Sequence, residues 1–305
     1  MKNNPWFFFS IIILGFMTGC TALIFGGIGS LQKQQVTSVS EDSILTLELE
    51  GVIFDGKKIL KQLREYAGKE NVKGILIQVN SPGGVVGPSQ EIYQEILNIK
   101  KEYKKPVYIF GSGLVASGAF YVASAATKVY SNPGTLMGSI GVIMNFADIS
   151  ELYSWAKIKP FNLTTGKFKD TGSEFREMRD DEKQYLQLLL DEALEQFVNH
   201  LVDARDLRKD KVLAIADGRI FTGVKAKDYG FVDEIGTYRD ALKAIGKETG
   251  LGETPKTFTP QKTPEEFFEM LGEAAGKINP LEKMAQDLKL GLLGKPLFLM
   301  PQWQR

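Results

Sequence analysis

Ser117 is the residue whose neighbours in the sequence best suit nucleophilic chemistry. It lies between Ala116 and Gly118, where an apolar, strand-like run with two glycines gives way to small residues with helical spacing. Small neighbours let another backbone approach the hydroxyl closely, and the amino end of a helix stabilises a developing negative charge. A serine in such a position is most often only a helix cap. The nucleophile hypothesis therefore depends on what else reaches this point.

A second glycine turn, Pro82-Gly83-Gly84, follows another apolar run at residues 74–79. In a parallel α/β sheet, the loops at the carboxyl ends of the strands lie at one edge and form the site. Backbone N–H groups of this turn could then form an oxyanion hole beside Ser117. A single oxyanion donor is worth about 3–4 kcal/mol in the transition state.

The base that would activate such a serine is not expected to be a histidine. The only histidine, His200, falls within a long helical pattern at residues 182–205 and is interpreted as a helix-surface residue. A triad of the Ser-His-Asp type is then excluded, and another residue type must take the proton. The single cysteine, Cys20, excludes an internal disulfide and a cysteine-rich zinc site. Acidic and basic residues balance at 37 each, so nothing indicates a nucleic-acid partner.

The elements that must position Ser117 alternate between strand-like and helical patterns. Such alternation is typical of an α/β domain with parallel strands, and no internal repeat is present, so the unit occurs once. Strand-like residues are also expected after Val142. The predicted strands cover 44–52, 74–79, 107–110 and 128–130, and the predicted helices cover 58–67, 88–103, a segment starting near 116, and 182–205.

The chain begins with an apolar segment. Residues 5–28 are 24 positions without a charge, enough to cross a bilayer as a helix, so residues 1–30 are predicted to be a transmembrane anchor. The alternative is a lipoprotein signal, because Met17-Thr18-Gly19-Cys20 resembles a lipobox in which Cys20 would be lipidated. Either alternative tethers the remaining chain to a membrane.

The rest of the chain divides into three parts. Residues 31–43 are predicted to be a linker, 44–250 the folded domain, and 251–305 a tail that is helical at 264–275. The tail ends with the apolar run Pro296-Leu297-Phe298-Leu299-Met300-Pro301. One hypothesis packs this run on the domain surface. The other places it in a peptide groove, where it competes with substrate.

Five motifs together resemble the signal peptide peptidase A family of membrane-anchored serine–lysine peptidases. Their order and spacing match over roughly residues 44–245, and it is the combination that is specific. The motifs are Asn80-Ser81-Pro82-Gly83-Gly84, Ala116-Ser117-Gly118, Gly138-Ser139-Ile140-Gly141-Val142, Lys169-Asp170, and Asp217-Gly218-Arg219 with Thr222-Gly223 and Gly230-Phe231-Val232-Asp233.

The resemblance implies the fold shared by Clp protease and crotonase, with a parallel sheet and flanking helices. It implies Ser117 as nucleophile and Lys169 as general base, without a metal or cofactor. Lys167 is the alternative lysine, since residues two apart on a strand would share one face. The family pattern places the catalytic lysine directly before Asp170, and this favours Lys169. The oxyanion and substrate-binding positions implied by the family are Gly83, Gly84, Gly118 and Ser139.

The function implied is an endopeptidase that degrades apolar peptides, chiefly spent signal peptides, on the extracytoplasmic side of the membrane. In half-length members of the family, the resemblance implies a homo-oligomeric ring in which the serine and the lysine of one site come from adjacent protomers. Two alternatives remain at this point. One is a crotonase-type enzyme acting on acyl-CoA, and the other is a membrane scaffold of this fold without catalysis.

Overall fold

The computed structural model describes residues 39–261 and 296–299. Ten strands and eight helices lie in these ranges and are numbered in chain order. The strands are β1 (Ser43–Glu50), β2 (Val72–Ser81), β3 (Gly83–Val85), β4 (Val107–Ala116), β5 (Lys128–Ser131), β6 (Leu136–Gly138), β7 (Ile220–Thr222), β8 (Glu234–Ile235), β9 (Thr257–Phe258) and β10 (Leu297–Leu299). The helices are α1 (Lys57–Tyr66), α2 (Val86–Glu102), α3 (Gly118–Ser124), α4 (Ser150–Trp155), α5 (Asp180–Arg205), α6 (Lys209–Leu213), α7 (Gly223–Asp228) and α8 (Tyr238–Glu248).

The main sheet has eight strands, and its longest path runs in the order β7-β6-β4-β2-β1-β9. Every pairing in it is parallel except that of β6 with β7. The first half of β4 pairs with β5 and its last three residues pair with β6, so two strands share one side of β4. This mostly parallel sheet with flanking helices confirms the predicted α/β class.

Burial of continuous apolar strands explains why the sheet forms as predicted. Ile75, Leu76 and Ile77 of β2 and Val107, Tyr108 and Ile109 of β4 are fully buried, as expected for central strands covered by helices on both faces. The last turns of α5 add to this core through Phe197, Val198 and Leu201. The core therefore fixes β2 and β4, the two strands whose carboxyl ends carry the glycine turn and Ser117.

The strand expected after Val142 does not form. Residues 139–219 are described throughout and contain helices, but apart from an isolated bridge at Ile143 they contain no strand. The reason lies in the sheet, because β6 already has β4 on one side and antiparallel β7 on the other. Both sides of β6 are thus occupied, and another strand could not pair with it.

The predicted anchor at residues 1–30 and the predicted helix at 264–275 lie outside the described residues. Within 39–261 and 296–299, no helix combines the length and apolarity needed to cross a membrane. The main sheet continues past residue 250, where the folded domain was predicted to end, because β9 pairs with the edge of β1. The tail also contributes β10, which pairs antiparallel with β3 in a separate two-stranded sheet.

Candidate active site

Ser117 is the only residue between β4 and α3, and its backbone is strained. Its φ of 51° and ψ of −116° lie outside the regions that L-residues normally occupy. Such a conformation costs about 1–3 kcal/mol and persists only where the surroundings enforce it. Sharp strand-to-helix turns of this kind present the nucleophilic serine in α/β-hydrolases.

The backbone hydrogen bonds on both sides of Ser117 enforce that conformation. Its N–H donates to the carbonyl oxygen of Gly138 at 2.7 Å, and its carbonyl oxygen accepts from the Tyr121 N–H at 2.8 Å. The side chain is 1% exposed, and no hydrogen-bond partner for its Oγ is found in the described part of the chain. A buried hydroxyl without a partner is unusual, because burial of an unpaired polar group costs free energy. The geometry holds a buried hydroxyl that the described residues leave unpartnered.

Gly138 and Ser139 line the turn from the neighbouring strand. Gly138 has a φ of 96°, and a Cβ added there would come within 2.6 Å of the Phe221 ring, so glycine is required. Ser139 also has a positive φ, 53°, and its N–H donates to the carbonyl oxygen of Arg219 at 2.8 Å. Ser139 is therefore held beside the Ser117 turn by β6 and the segment before β7.

The glycine turn after β2 forms β3, which packs against α3. The Gly83 carbonyl oxygen accepts from Ile53 N–H at 2.9 Å, and the Val85 N–H donates to Ile53 O at 2.8 Å. A Cβ on Gly84 would lie 2.0 Å from that Ile53 oxygen, so only glycine fits. Because polar groups alternate along a strand, the N–H and C=O of Gly84 point away from Ile53, toward the other side of β3.

That other side of β3 is occupied by β10. Phe298 pairs with Gly84, and the Val86 N–H donates to the Pro296 carbonyl oxygen at 3.4 Å. In an antiparallel ladder, hydrogen-bonded pairs recur every second residue, so the Gly84 and Phe298 backbones face each other as a hydrogen-bonded pair. A segment of this chain thus lies extended along the strand that carries the predicted oxyanion glycine.

The two remaining predicted oxyanion positions differ in how free their amides are. The Gly83 N–H already donates to Ser81 Oγ at 3.2 Å. Gly118 is the first residue of α3, where a backbone N–H has no intrahelical acceptor. The amide best placed for an anion is therefore that of Gly118, joined by that of Gly84 when β10 leaves the edge of β3.

Lys169 is exposed and lies in a turn at residues 167–172, not on a strand. Its N–H donates to Gly166 O at 3.0 Å, and within the described residues its Nζ has no hydrogen-bond or ion-pair partner. Lys167 differs, since its Nζ pairs with Asp181 at 2.5 Å. Because Ser117 Oγ has no partner either, a single chain does not bring the predicted nucleophile and base into contact.

His200 does not lie on the helix surface as expected. It is half-buried on α5, stacks on the Tyr93 ring at a centroid distance of 5.0 Å, and its Nδ1 is hydrogen-bonded to the Tyr121 hydroxyl. Burial lowers the pKa of His200. Two aromatic neighbours explain its position inside the domain. Its Nδ1 bonds the hydroxyl of Tyr121 in the middle of α3, whereas Ser117 Oγ has no hydrogen-bond partner among the described residues, so His200 remains without a predicted catalytic role.

Three charged residues that the sequence analysis did not single out, Arg176, Arg179 and Glu182, lie beside the lysine turn. Together with Asp170 of the turn they form one cluster at the start of α5. The available signal was Glu182, a carboxylate at the first position of the predicted helical pattern, where it can accept from a backbone N–H at the start of the helix. No group of three or more His, Cys, Asp or Glu in the described residues is placed to bind a metal ion.

Comparison with known proteins identifies the family. Residues 99–252 match the family described as Peptidase family S49, and residues 32–137 match Clp protease. The chain belongs to peptidase family S49. The Clp protease match fits the mostly parallel sheet and flanking helices of this S49 peptidase.

Three relatives illustrate the similarity. The S49 chain is 40% identical to a protein of Methanocaldococcus jannaschii named "Putative protease MJ0651", over 63% of this chain and 61% of that protein. It is 33% identical to "Putative protease slr0021" of Synechocystis, over 84% and 95%. It is 31% identical to "Putative signal peptide peptidase SppA" of Enterococcus faecium, over 77% and 72%. The alignment thus spans less than two thirds of the first relative and most of the other two.

Proposed function

We propose that this S49 peptidase is a membrane-tethered serine endopeptidase that degrades apolar peptides, with spent signal peptides as its main substrates. Ser117 is the nucleophile and Lys169 the general base. The observation that carries this proposal is the Ser117 turn, with its strained backbone and its buried, unpartnered hydroxyl. Strain and an unsatisfied buried hydroxyl both cost stability, and a nucleophile's role accounts for both costs.

The reaction proceeds in two stages. Ser117 Oγ attacks the carbonyl carbon of the scissile bond while its proton passes to the neutral amine of Lys169, and the carbonyl oxygen becomes an oxyanion. The oxyanion accepts hydrogen bonds from the N–H groups of Gly84 and Gly118. Lys169 then gives its proton to the leaving amine, which leaves an acyl-enzyme. Water, deprotonated by Lys169, releases the acid and restores the serine.

The lysine is supplied by a neighbouring subunit of a cyclic homo-oligomer. In support, neither Ser117 Oγ nor the Nζ of the exposed Lys169 has a hydrogen-bond partner among residues 39–261 and 296–299. Large apolar side chains near the lysine turn are also exposed, including Trp155, Phe161 and Leu163 at 80%, 81% and 93%. A second copy covering this face would bury apolar area and bring a base to the serine.

A peptide substrate is favoured over acyl-CoA by the edge of β3. The chain's own residues 297–299 lie antiparallel along this strand, beside α3 and facing the Gly84 amide. A peptide added to the same edge would gain main-chain hydrogen bonds and place a carbonyl near the oxyanion donors. The membrane tether and the extracytoplasmic location are proposed from the uncharged residues 5–28.

The test uses the full-length protein in detergent with an apolar fluorogenic peptide. Turnover is expected, together with covalent labelling of Ser117 by a fluorophosphonate probe, and Ser117→Ala should abolish both. Labelling of a different residue would refute the assignment of the nucleophile. Binding of CoA without peptide turnover would replace the endopeptidase by the acyl-CoA enzyme.

A further inference from the structure

The lysine turn is fastened to α5 by a compact group of charges, here called the arginine clamp (Arg176, Arg179 and Glu182). Glu182 is fully buried in the first turn of α5. Arg176 donates to both of its carboxylate oxygens at 2.7 and 2.9 Å, and Arg179 Nη2 lies 2.8 Å from Oε1. The Arg179 N–H also donates to Glu182 Oε2 at 2.9 Å. One buried carboxylate thus holds both guanidinium groups.

Each arginine of the clamp uses a remaining N–H to hold the backbone of the lysine turn. Arg179 Nη2 donates to the Lys167 carbonyl oxygen at 2.7 Å. Arg176 Nη2 donates to the Asp170 carbonyl oxygen at 3.3 Å, and its Nε donates to Asp170 Oδ2 at 3.1 Å. Lys169 lies between these two held carbonyl groups. The clamp therefore restrains the backbone on both sides of the proposed base without contacting its side chain.

The surroundings of the turn explain why such a restraint is needed. Residues 157–179 contain no helix or strand, and most of them are exposed, so neither a ladder nor a core fixes this backbone. By contrast, α5 is anchored by Phe197, Val198 and Leu201 in the core. Charge-assisted and bidentate hydrogen bonds are strong and directional, and they can transfer the rigidity of α5 to the turn.

The burial of Glu182 favours this role over a merely stabilising one. Burial of an ion pair often costs as much desolvation as its attraction returns, so it is weak support for stability alone. Fully satisfied polar networks do, however, fix one geometry. Glu182 carries this desolvation cost where the lysine turn meets α5, so its role is to fix the geometry of the turn.

We infer that Arg176, Arg179 and Glu182 are positioning residues that hold Lys169 in its reactive geometry. This inference rests on the proposed role of Lys169 as the base. The clamp residues touch neither the substrate nor the reacting atoms, and they act through the backbone at Lys167 and Asp170. Loss of the clamp should then slow the chemical step and leave substrate binding intact.

The test compares Arg176→Lys, Arg179→Ala and Glu182→Gln in the full-length protein, with Arg208→Lys as the matched control. Arg208 makes a similar two-pronged contact with Asp210, at 3.0 and 2.7 Å, but on an exposed surface away from the turn. Each clamp variant should lower kcat at least tenfold with KM within twofold, and should move the pH midpoint of kcat/KM. The control should leave all three values unchanged. Thermal unfolding and size-exclusion profiles establish that each variant is folded and assembled.

A double-variant cycle separates positioning from general stabilisation. If the clamp acts only through Lys169, Lys169→Ala/Arg176→Lys should have the same residual rate as Lys169→Ala. If the double variant is slower than Lys169→Ala because the two losses of rate multiply, the inference is overturned. Clamp variants with unchanged kcat would overturn it as well. Should Glu182→Gln fail to fold, Arg179→Ala, which removes the bond to Lys167 O, decides the same question. A fully active Lys169→Ala would instead refute Lys169 as the base. This outcome is distinguishable, because it is read from a protein whose clamp is unchanged.

Discussion

Ser117 lies on a turn between a central strand and a helix whose residues are all buried, whereas Lys169 lies on an exposed turn in a segment without strands. The serine turn is held by hydrogen bonds to β6 and within α3, and its hydroxyl is buried. The lysine turn is held to the start of α5 through its backbone and through Asp170 and Lys167, and the Lys169 side chain is exposed. The described residues therefore bury the proposed nucleophile and leave the proposed base exposed.

The same contrast extends to the apolar surface. The second half of α5 is buried against the core through Phe197, Val198 and Leu201. The first half stands away from it, and its Leu188 and Leu189 are 66% and 38% exposed. Trp155 and the apolar residues before the lysine turn are exposed as well, and these side chains are available to the proposed second subunit.

The largest expected effect tests whether the two regions combine between chains. Ser117→Ala and Lys169→Ala should each be inactive when assembled alone. When the two inactive proteins are mixed equally and reassembled, roughly a quarter of the sites should regain activity, since each site then needs an intact serine from one subunit and an intact lysine from its neighbour. Peptide turnover of the mixture measures that fraction.

The control for this mixture is subunit exchange, followed by mass spectrometry of differently tagged chains. An inactive mixture in which exchange is complete would place both residues in one chain. Ser117 and Lys169 of one subunit would then have to meet through a change of conformation. The single variants would still test the serine–lysine chemistry.

The next largest effect is expected at Gly84, in the serine region. Gly84→Ala would bring a Cβ to 2.0 Å from the Ile53 carbonyl oxygen, so β3 must shift and the oxyanion donor moves with it. A loss of about 10²–10³ in kcat is expected, as for removal of one oxyanion donor. Gly87→Ala, three residues later, meets nothing within 4 Å and should keep full activity. If both variants have the same kcat, Gly84 is not a donor.

The serine region is also the part of the fold that could be predicted from the sequence. Continuous apolar runs predict β2 and β4, because a strand with apolar residues on both faces is typical of the centre of a sheet covered on both sides. Glycine turns mark where these strands end. The lysine region carries no such periodicity. Its order comes from Arg176 and Glu182, whose contacts depend on tertiary distances. His200 was assigned to the surface for a similar reason, since helical spacing alone did not reveal that Tyr93 and Tyr121 face it.

A smaller effect is expected when the tail is removed from the serine region. β10 lies on the edge of β3 where a peptide is proposed to bind, so deleting residues 296–305 should lower KM severalfold and leave kcat unchanged. Phe298→Pro should reproduce the deletion, because it removes the backbone N–H that faces Gly84. Leu299→Pro is the matched control, since the N–H of that residue points away from β3. An unchanged KM after deletion would leave only packing on the surface.

The lysine region should respond to acid through Glu182. Hydrogen bonds from Arg176 lower the pKa of Glu182 from its ordinary value to about 2. The folded state therefore binds fewer protons than the unfolded state between about pH 4.5 and pH 2. The ionised Glu182 carboxylate stabilises the folded state fully above this range, and its contribution is lost as the pH falls through it. The free energy of unfolding should decrease across this window, and less so in Glu182→Gln. Parallel curves for both proteins would exclude Glu182 as a source of acid sensitivity.

The smallest effect is expected for Lys167→Ala, which tests the choice between the two lysines. The Lys167 ammonium pairs with Asp181 and lies 5.4 Å from the centre of the Phe168 ring, but both contacts are at the surface. Exposed ion pairs contribute about 0.2–1 kcal/mol, so its loss should change stability little. The clamp reaches residue 167 through its carbonyl oxygen, which alanine keeps. Peptide turnover should therefore stay within about twofold of wild type. An inactive Lys167→Ala beside an active Lys169→Ala would make Lys167 the base, and the exposed turn would then present the other of its two lysines to the serine.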